Sequence, residues 1–192
     1  PVLVGLSAAF VLTYVFIALY RMRYPFELEW MEGGMVDHVR RVLEGKPIYA
    51  KPSIEFVSFL YPPLYYEAAA VFAGVLGPGF LPLRLLSFLS SIGVFALLLV
   101  IVRRETGSVF AGGVAVGLFA ATYDRVGGWF DIARLDSFYL MLLLAGIFVL
   151  RSFRSAWGAA AAGLLFSAAF LTKQSALVIV APLLIYLVVA EL

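Results

Sequence analysis

The residues best suited to chemistry are two glutamates, three positions apart, near the start of the chain. Glu29 and Glu32 lie in the run FELEWMEGG. If this run is helical, the two carboxylates share one face. The Gly33-Gly34 pair would let the backbone approach a ligand closely. A carboxylate here could act as a general base toward an acceptor hydroxyl or bind a metal ion. The alternative is a solvated loop whose acids balance its arginines.

Further charged residues lie in residues 124–136, between two apolar segments. Asp131 has an apolar residue on each side, and it would either add an acid to a site shared with the first loop or pair with Arg134. Asp136 opens the next helix, where a carboxylate can cap the helix or favour its dipole. Lys173 interrupts an apolar hairpin, and it could snorkel to water or offer a charge to a phosphate.

Three other features have ordinary explanations. Arg84 lies within an apolar segment and allows the same two interpretations as Lys173. The tyrosines of YPPLYY, which begins at Tyr61, are typical of a membrane-interface belt. His38 is expected to be a residue of a polar helix face. Because it is the single histidine and cysteine is absent, the sequence excludes a histidine cluster and a thiolate metal site.

The composition is that of a helical membrane protein. Hydrophobic residues make up 64% of the chain and charged residues 14%, against roughly 45–50% and a quarter in soluble domains. The apolar runs are continuous rather than alternating, which favours an all-α bundle over a membrane barrel. The net charge of +2, without a basic face, argues against nucleic acid as a partner. Because the chain begins with proline and stops within an apolar run, we expect 1–192 to be a single transmembrane domain of a longer polypeptide.

The apolar segments predict either six or seven membrane spans. They are residues 2–20, 61–76, 80–102, 108–123, 135–150, 157–172 and 174–190. If all cross, the basic turns at 103–104 and 151–154 share a side with the acidic first loop. If 61–76 lies in the interface instead, those turns become cytoplasmic by the positive-inside rule. The first loop, residues 21–60, and Lys173 are then exterior, so we prefer six spans.

A short amphipathic helix is predicted within the first loop, at residues 35–44. Its apolar stripe consists of Met35, Val36, Val39, Val42 and Leu43. Gly45 and Pro47 are typical of a helix end. Such a helix is expected to lie on the membrane surface with its apolar face down, and the acidic run would then lie at its N-terminus.

The order of these features resembles the N-terminal part of the multi-spanning C-type glycosyltransferases. The segments that carry the resemblance are RRVLEGKPIY, YPPLYY, ARLDSFYLMLLLAG and LLFSAAFLTKQSALVI. The most similar branch holds the protein O-mannosyltransferases and the lipid A aminoarabinose transferases. The resemblance implies a bacterial inner (plasma) membrane enzyme that moves a sugar from a polyprenyl-phosphate carrier to an exterior acceptor.

The resemblance also implies site residues. The family's essential acid of the first exterior loop matches Glu32, with Glu29 next. Gly33 stands where a second acid is usual. A later acidic position of the family matches Asp131 or Asp136.

The phosphate contacts implied by the resemblance differ from the family pattern. Tyr61 replaces a lysine that binds phosphate in the family. Lys51 or Lys173 could compensate for that replacement.

The leading hypothesis is inverting sugar transfer by Glu32 or Glu29. Lys173, Arg134 or a divalent cation would balance the leaving phosphate, while the sequence itself identifies no cofactor and no set of metal ligands. The expected partners are the polyprenyl-phosphate-linked sugar, membrane lipids and other membrane subunits. The alternative is a non-catalytic transmembrane subunit of a larger complex. A transporter fits less well because charges at mid-membrane are few.

Overall fold

The computed structural model describes residues 2–191, which form eight helices and no strand. The helices are α1 (Val2–Arg21), α2 (Met31–Leu43), α3 (Leu64–Leu76), α4 (Phe80–Thr106), α5 (Val109–Ala121), α6 (Asp136–Ser152), α7 (Ala156–Thr172) and α8 (Ala176–Glu191). The prediction of an all-α fold is confirmed. The expected domain, 1–192, extends one residue beyond the described range at each end.

Two of these helices, α1 and α4, are long and apolar enough to cross a membrane. They contain 20 and 27 residues. At about 1.5 Å per residue, both match or exceed the roughly 30 Å of hydrocarbon in a bilayer. These helices indicate association with a membrane. Helices α3, α5, α7 and α8 are apolar but shorter.

Local signals in the sequence explain where the helices begin and end. Ser108 and Ser155 accept hydrogen bonds from backbone N–H groups in the first turns of α5 and α7, as N-cap residues do. Helix α4 ends at Gly107, which has a φ of 70°, a conformation that glycine adopts at little cost. The predicted apolar segments therefore agree with the helices to within a few residues.

The charged contacts between helices lie at the two ends of the bundle. At one end, Arg151 forms an ion pair of 2.8 Å with Glu105, and Arg104 donates to the Ser152 hydroxyl. These contacts join the end of α4 to the end of α6. At the other end, the first loop, the start of α4, the start of α6 and the end of α7 meet in the charged network described below.

Helix α3 contacts the beginning of α4. Tyr65, in the first turn of α3, has its hydroxyl 3.2 Å from Ser87 Oγ. The last residue of α3, Leu76, is joined to Phe80 of α4 by a short turn of glycine and proline. Both ends of α3 therefore lie beside the first two turns of α4.

Helix α2 differs from its prediction in extent and in what covers its apolar face. It begins at Met31 rather than at residue 35, so Glu32 lies inside the helix. Met35 and Val39 are buried against the residues of α3 and α4. The expectation that this face points toward the membrane is wrong, because the protein itself covers it.

Candidate functional site

A buried ion pair between Glu32 and Arg84 lies at the centre of the charged end of the bundle. The exposed fractions of these side chains are 0% and 1%, and Arg84 Nη2 lies 2.7 Å from Glu32 Oε2. Arg84 Nε donates to Glu32 Oε1 at 2.9 Å, so the contact is bidentate. Such paired hydrogen bonds to a carboxylate are the strong form of this interaction.

Arg84 also binds the end of α1 and the loop that follows it, and so holds both against α4. Its Nη1 donates to the carbonyl oxygens of Arg21 and Tyr24 at 3.1 and 2.6 Å. Its Nη2 donates to the carbonyl of Phe26 at 2.7 Å. With the two bonds to Glu32, all five guanidinium donors are used. Arg84 therefore acts as a structural clamp, and neither sequence interpretation of Arg84 included this.

Both oxygens of Glu32 are fully occupied. In addition to Arg84, the backbone N–H groups of Leu28 and Ala133 donate to Oε2 and Oε1 at 2.6 and 2.7 Å. Burial by itself would raise the pKa of Glu32, but these hydrogen bonds and the guanidinium outweigh it and lower the pKa. Glu32 is thus a paired anion that joins the first loop to the loop before α6.

The two glycines after Glu32 serve packing within the chain. A Cβ on Gly34 would lie 2.3 Å from the Phe59 ring, and a Cβ on Gly33 would lie 1.8 Å from Glu27 Oε1. Contacts that short do not occur. These glycines were expected to let a ligand approach the backbone, whereas the protein's own Phe59 and Glu27 side chains occupy that space.

The more accessible part of the network is a chain of four charged side chains, Glu29, Arg134, Asp136 and Lys173, here called the outer charge chain. Arg134 Nη1 lies 3.1 Å from Glu29, and Arg134 Nε lies 3.0 Å from Asp136. Lys173 Nζ lies 2.7 Å from the other oxygen of Asp136. The first loop, α6 and the end of α7 thus meet here, and all four residues were candidates from the sequence.

Glu29 differs from Glu32 in what remains free on its carboxylate. Its Oε2 accepts from the Met31 N–H at 3.1 Å and pairs with Arg134. Its Oε1 accepts no hydrogen bond from the residues that the structure describes, and 15% of the side chain is exposed. Glu29 can therefore receive a further hydrogen bond from a ligand.

Asp131 belongs to a separate cluster with Arg21 and Tyr123. The Tyr123 hydroxyl donates to Asp131 Oδ1 at 2.7 Å, and Arg21 Nη1 lies 3.6 Å from the same oxygen. Within the described residues Oδ2 is buried without a partner. Burial raises the pKa of Asp131, although the tyrosine and the arginine act to lower it. The alternative pairing of Asp131 with Arg134 is wrong, because Arg134 pairs with Glu29 and Asp136.

Two further candidates from the sequence lie apart from the outer charge chain. Tyr61 accepts a hydrogen bond from the Tyr49 hydroxyl through its carbonyl oxygen at 2.8 Å, and its ring packs against the core around α2 and α3. Lys51 is exposed, and it forms no ion pair with any residue in the described range. A phosphate-binding role for Tyr61 or Lys51 stays a prediction.

His38 is buried, so the expectation of an ordinary residue on a polar face is wrong. The backbone N–H of Phe59 donates to Nε2 at 2.9 Å, and Nδ1 lies 2.6 Å from the carbonyl oxygen of Gly34. An N–H can only donate and a carbonyl can only accept, so His38 is neutral with its proton on Nδ1. The ring also stacks on Tyr66 and Phe59. His38 therefore holds the loop around Phe59 against α2.

The contacts of His38 predict a stability that depends on pH. Burial lowers the pKa of His38 below its usual value, and the nearby Arg41 lowers it further. The Gly34 carbonyl and Asp37 act in the opposite direction but do not outweigh burial. The unfolded chain therefore binds a proton on His38 more readily than the folded chain does. The contribution of neutral His38 to the free energy of unfolding is complete above about pH 6.5 and is lost as the pH falls below that value. We expect the thermal unfolding midpoint to fall from pH 7.5 to pH 5.5 more in the wild type than in His38→Phe. Equal falls would show that folding does not lower the pKa of His38.

The described residues contain no group of three histidine or acidic side chains placed to hold a metal ion. Comparison of the chain with protein-family models, curated proteins and solved structures gave no match. The geometry of the charged end is therefore the basis on which a function can be argued.

Proposed function

We propose that this chain is the membrane domain of a glycosyltransferase that takes a sugar from a polyprenyl-phosphate carrier. The observation that carries the proposal is the outer charge chain. It combines a carboxylate with a free oxygen, Glu29, and two cations, Arg134 and Lys173, within one connected network. Sugar transfer from a phosphate carrier needs both a base and positive charge for the leaving group.

Glu29 is the better candidate for the base than Glu32. A base must be within hydrogen-bond reach of the proton that it removes. Glu32 has both oxygens saturated and no exposed surface, whereas Glu29 keeps Oε1 free. In this proposal Glu32 is a positioning residue that fixes the first loop, and Glu29 touches the acceptor.

The environment of Lys173 suits a lipid-linked phosphate. Lys173 is partly exposed and is paired only with Asp136 among the described residues. Exposed apolar side chains flank it along the chain, namely Phe170, Leu171, Leu177 and Val178. A phosphate near Lys173 would thus have an apolar surface beside it for the isoprenoid tail.

The reaction would proceed as a single displacement. Glu29 Oε1 takes the proton of the acceptor hydroxyl, and the acceptor oxygen forms a bond to the anomeric carbon. The bond between that carbon and the phosphate oxygen breaks, and the polyprenyl phosphate leaves with the electron pair. Lys173 and Arg134 balance the charge on the departing phosphate. The configuration at the anomeric carbon is inverted.

We further propose six membrane crossings, by α1 and α4–α8, with the outer charge chain on the exterior side of the bacterial inner membrane. The position of α3 supports this count, since a helix whose two ends lie beside the first two turns of α4 does not reach the opposite end of that helix. The basic residues Arg103, Arg104 and Arg151 at the opposite end would then be cytoplasmic.

The six-span proposal can be tested by cysteine labelling, because the natural chain has no cysteine. Glu55→Cys and Pro78→Cys flank α3, and Arg103→Cys lies at the other end of α4. A membrane-impermeant maleimide added outside is expected to label the first two in intact cells, and Arg103→Cys only after permeabilisation. Labelling of Glu55→Cys and Pro78→Cys from opposite sides would establish that α3 crosses the membrane.

The proposed function can be tested first by binding of the leaving group. The purified chain in nanodiscs is expected to bind polyprenyl phosphate saturably. It should bind the uncharged polyprenol of equal length at least about tenfold more weakly, because each charge-assisted hydrogen bond to phosphate contributes about 1.5–3 kcal/mol. Equal binding of the phosphate and the alcohol would contradict a phosphate site at Lys173 and Arg134.

One observation favours the second candidate, a non-catalytic membrane subunit. Each acid of the network already has a basic partner within the chain: Glu32 with Arg84, Glu29 with Arg134, and Asp136 with Lys173. Such neutral networks also serve purely structural purposes. Co-purification with a larger assembly in fixed stoichiometry, with no binding of polyprenyl phosphate, would decide for the subunit.

A further inference from the structure

A second candidate site is a cavity of about 560 Å³ in which neither the outer charge chain nor Glu32 takes part. Its walls come from the loop after α1, the outward face of α2, the turn between α3 and α4, and the first turn of α4. The volume lies in the range of small-molecule sites. Nothing in the proposed sugar transfer uses this cavity.

The cavity is held open by buried contacts behind its wall. The Arg84 guanidinium, which lies over the Phe80 ring at 4.7 Å, bonds the carbonyls of Tyr24 and Phe26. The first turn of α4 and the loop after α1 are thereby fixed relative to each other. The site is therefore formed before any ligand arrives.

One wall of the cavity carries negative charge. The Glu27 carboxylate lies against Gly33, where a Cβ would come within 1.8 Å of Oε1. Asp37 lies one turn further along α2, and its carboxylate pairs with Arg40 at 3.1 Å. Glu27 forms no ion pair with another described residue, so its charge is available to a ligand.

The other wall is positive. Arg23 lines the cavity, is exposed and forms no ion pair or hydrogen bond among the residues in the described range. The first turn of α4 also lines the cavity, and no side chain caps that helix. An unpaired guanidinium in the lining of a cavity favours an anionic ligand.

We propose that this cavity binds a phosphoethanolamine group, with the phosphate against Arg23 and the amine against Glu27. Asp37 and Arg40 offset each other, so the charges left for a ligand are those of Glu27 and Arg23. A ligand with only one sign of charge would be repelled by one of these two residues. The cavity opens at the end of α1, a helix long and apolar enough to cross a membrane, so the group can come from a phospholipid or from a free compound. The proposal is independent of sugar transfer.

The test measures calorimetric binding to the whole chain in detergent micelles. O-phosphoethanolamine is expected to bind at least about tenfold more tightly than inorganic phosphate or ethanolamine alone, since each supplies only one of the two charge-assisted contacts. Arg23→Gln and Glu27→Gln should each weaken binding about tenfold. Gly33→Ala should also weaken it, because the new Cβ displaces the Glu27 carboxylate.

Matched controls separate the cavity from general charge effects. Arg103→Gln and Glu55→Gln change exposed charges outside the cavity and should leave binding unchanged. Competition by nanodiscs of phosphatidylethanolamine, but not of phosphatidylglycerol, would support a lipid source, and binding of the free compound alone would support a soluble source. Binding of inorganic phosphate as tightly as O-phosphoethanolamine, or no effect of Glu27→Gln, would overturn the proposal.

Discussion

Replacing Arg84 by methionine is expected to destabilise the protein by about 3–5 kcal/mol, because the change leaves Glu32 charged and buried without its partner. The three carbonyl oxygens of Arg21, Tyr24 and Phe26 lose their donors in the same step. The exposed Arg103→Met is the matched control and should change the free energy of unfolding by less than about 0.5 kcal/mol. The measurement is reversible unfolding in mixed micelles.

A double-mutant cycle separates the ion pair from the other bonds of Arg84. The pair Glu32→Leu with Arg84→Met removes both charges, so its cost should be clearly smaller than the sum of the two single changes. If the two single changes instead add up to the cost of the double change, Glu32 and Arg84 do not interact directly. A cost for Arg84→Met below about 1 kcal/mol would show that Arg84 does not act as a clamp.

Glu29→Gln is expected to reduce sugar transfer by about 10²–10⁴-fold while the protein stays folded in the membrane, because the amide cannot accept the proton of the acceptor. The measurement is initial transfer rate in proteoliposomes, normalised to folded protein. Glu44→Gln is the control, since Glu44 is also paired with a neighbouring cation, Lys46, at 2.7 Å, but lies outside the outer charge chain.

Glu32→Gln distinguishes the two glutamates. We expect this variant to lose transfer together with stability, because Arg84 is left without its partner. Glu29→Gln should lose transfer alone. Full activity in Glu29→Gln, with activity lost in a stable Glu32→Gln protein, would return the role of base to Glu32.

Much of the fold could be predicted from the sequence, because the length of an apolar segment and the basic residues of a turn can be recognised from neighbouring residues alone. The hydrophobic runs gave the helices, and the charge pattern brought Glu29, Arg134, Asp136 and Lys173 together at one end. Gly45 and Pro47 correctly indicated the end of α2, which stops at Leu43.

The contacts between distant residues could not be predicted. Arg84 and Glu32 are 52 positions apart, and no local pattern connects a lone arginine in an apolar segment with an acid in a loop. The burial of His38 could not be predicted either, because it has polar neighbours on α2 and the residue that covers it, Phe59, lies 21 positions away. The start of α2 was missed because the predicted amphipathic pattern begins at Met35, whereas the helix begins at Met31 and includes Gly33 and Gly34.

The central claim is that the outer charge chain transfers a sugar from a polyprenyl-phosphate carrier. Its most direct test is an assay of the wild-type chain in proteoliposomes with a panel of labelled polyprenyl-phosphate hexoses and pentoses and a membrane extract as acceptor. We expect release of one polyprenyl phosphate for each sugar transferred, with inversion at the anomeric carbon. Absence of both release and transfer for every donor, in protein shown to be folded, would contradict it.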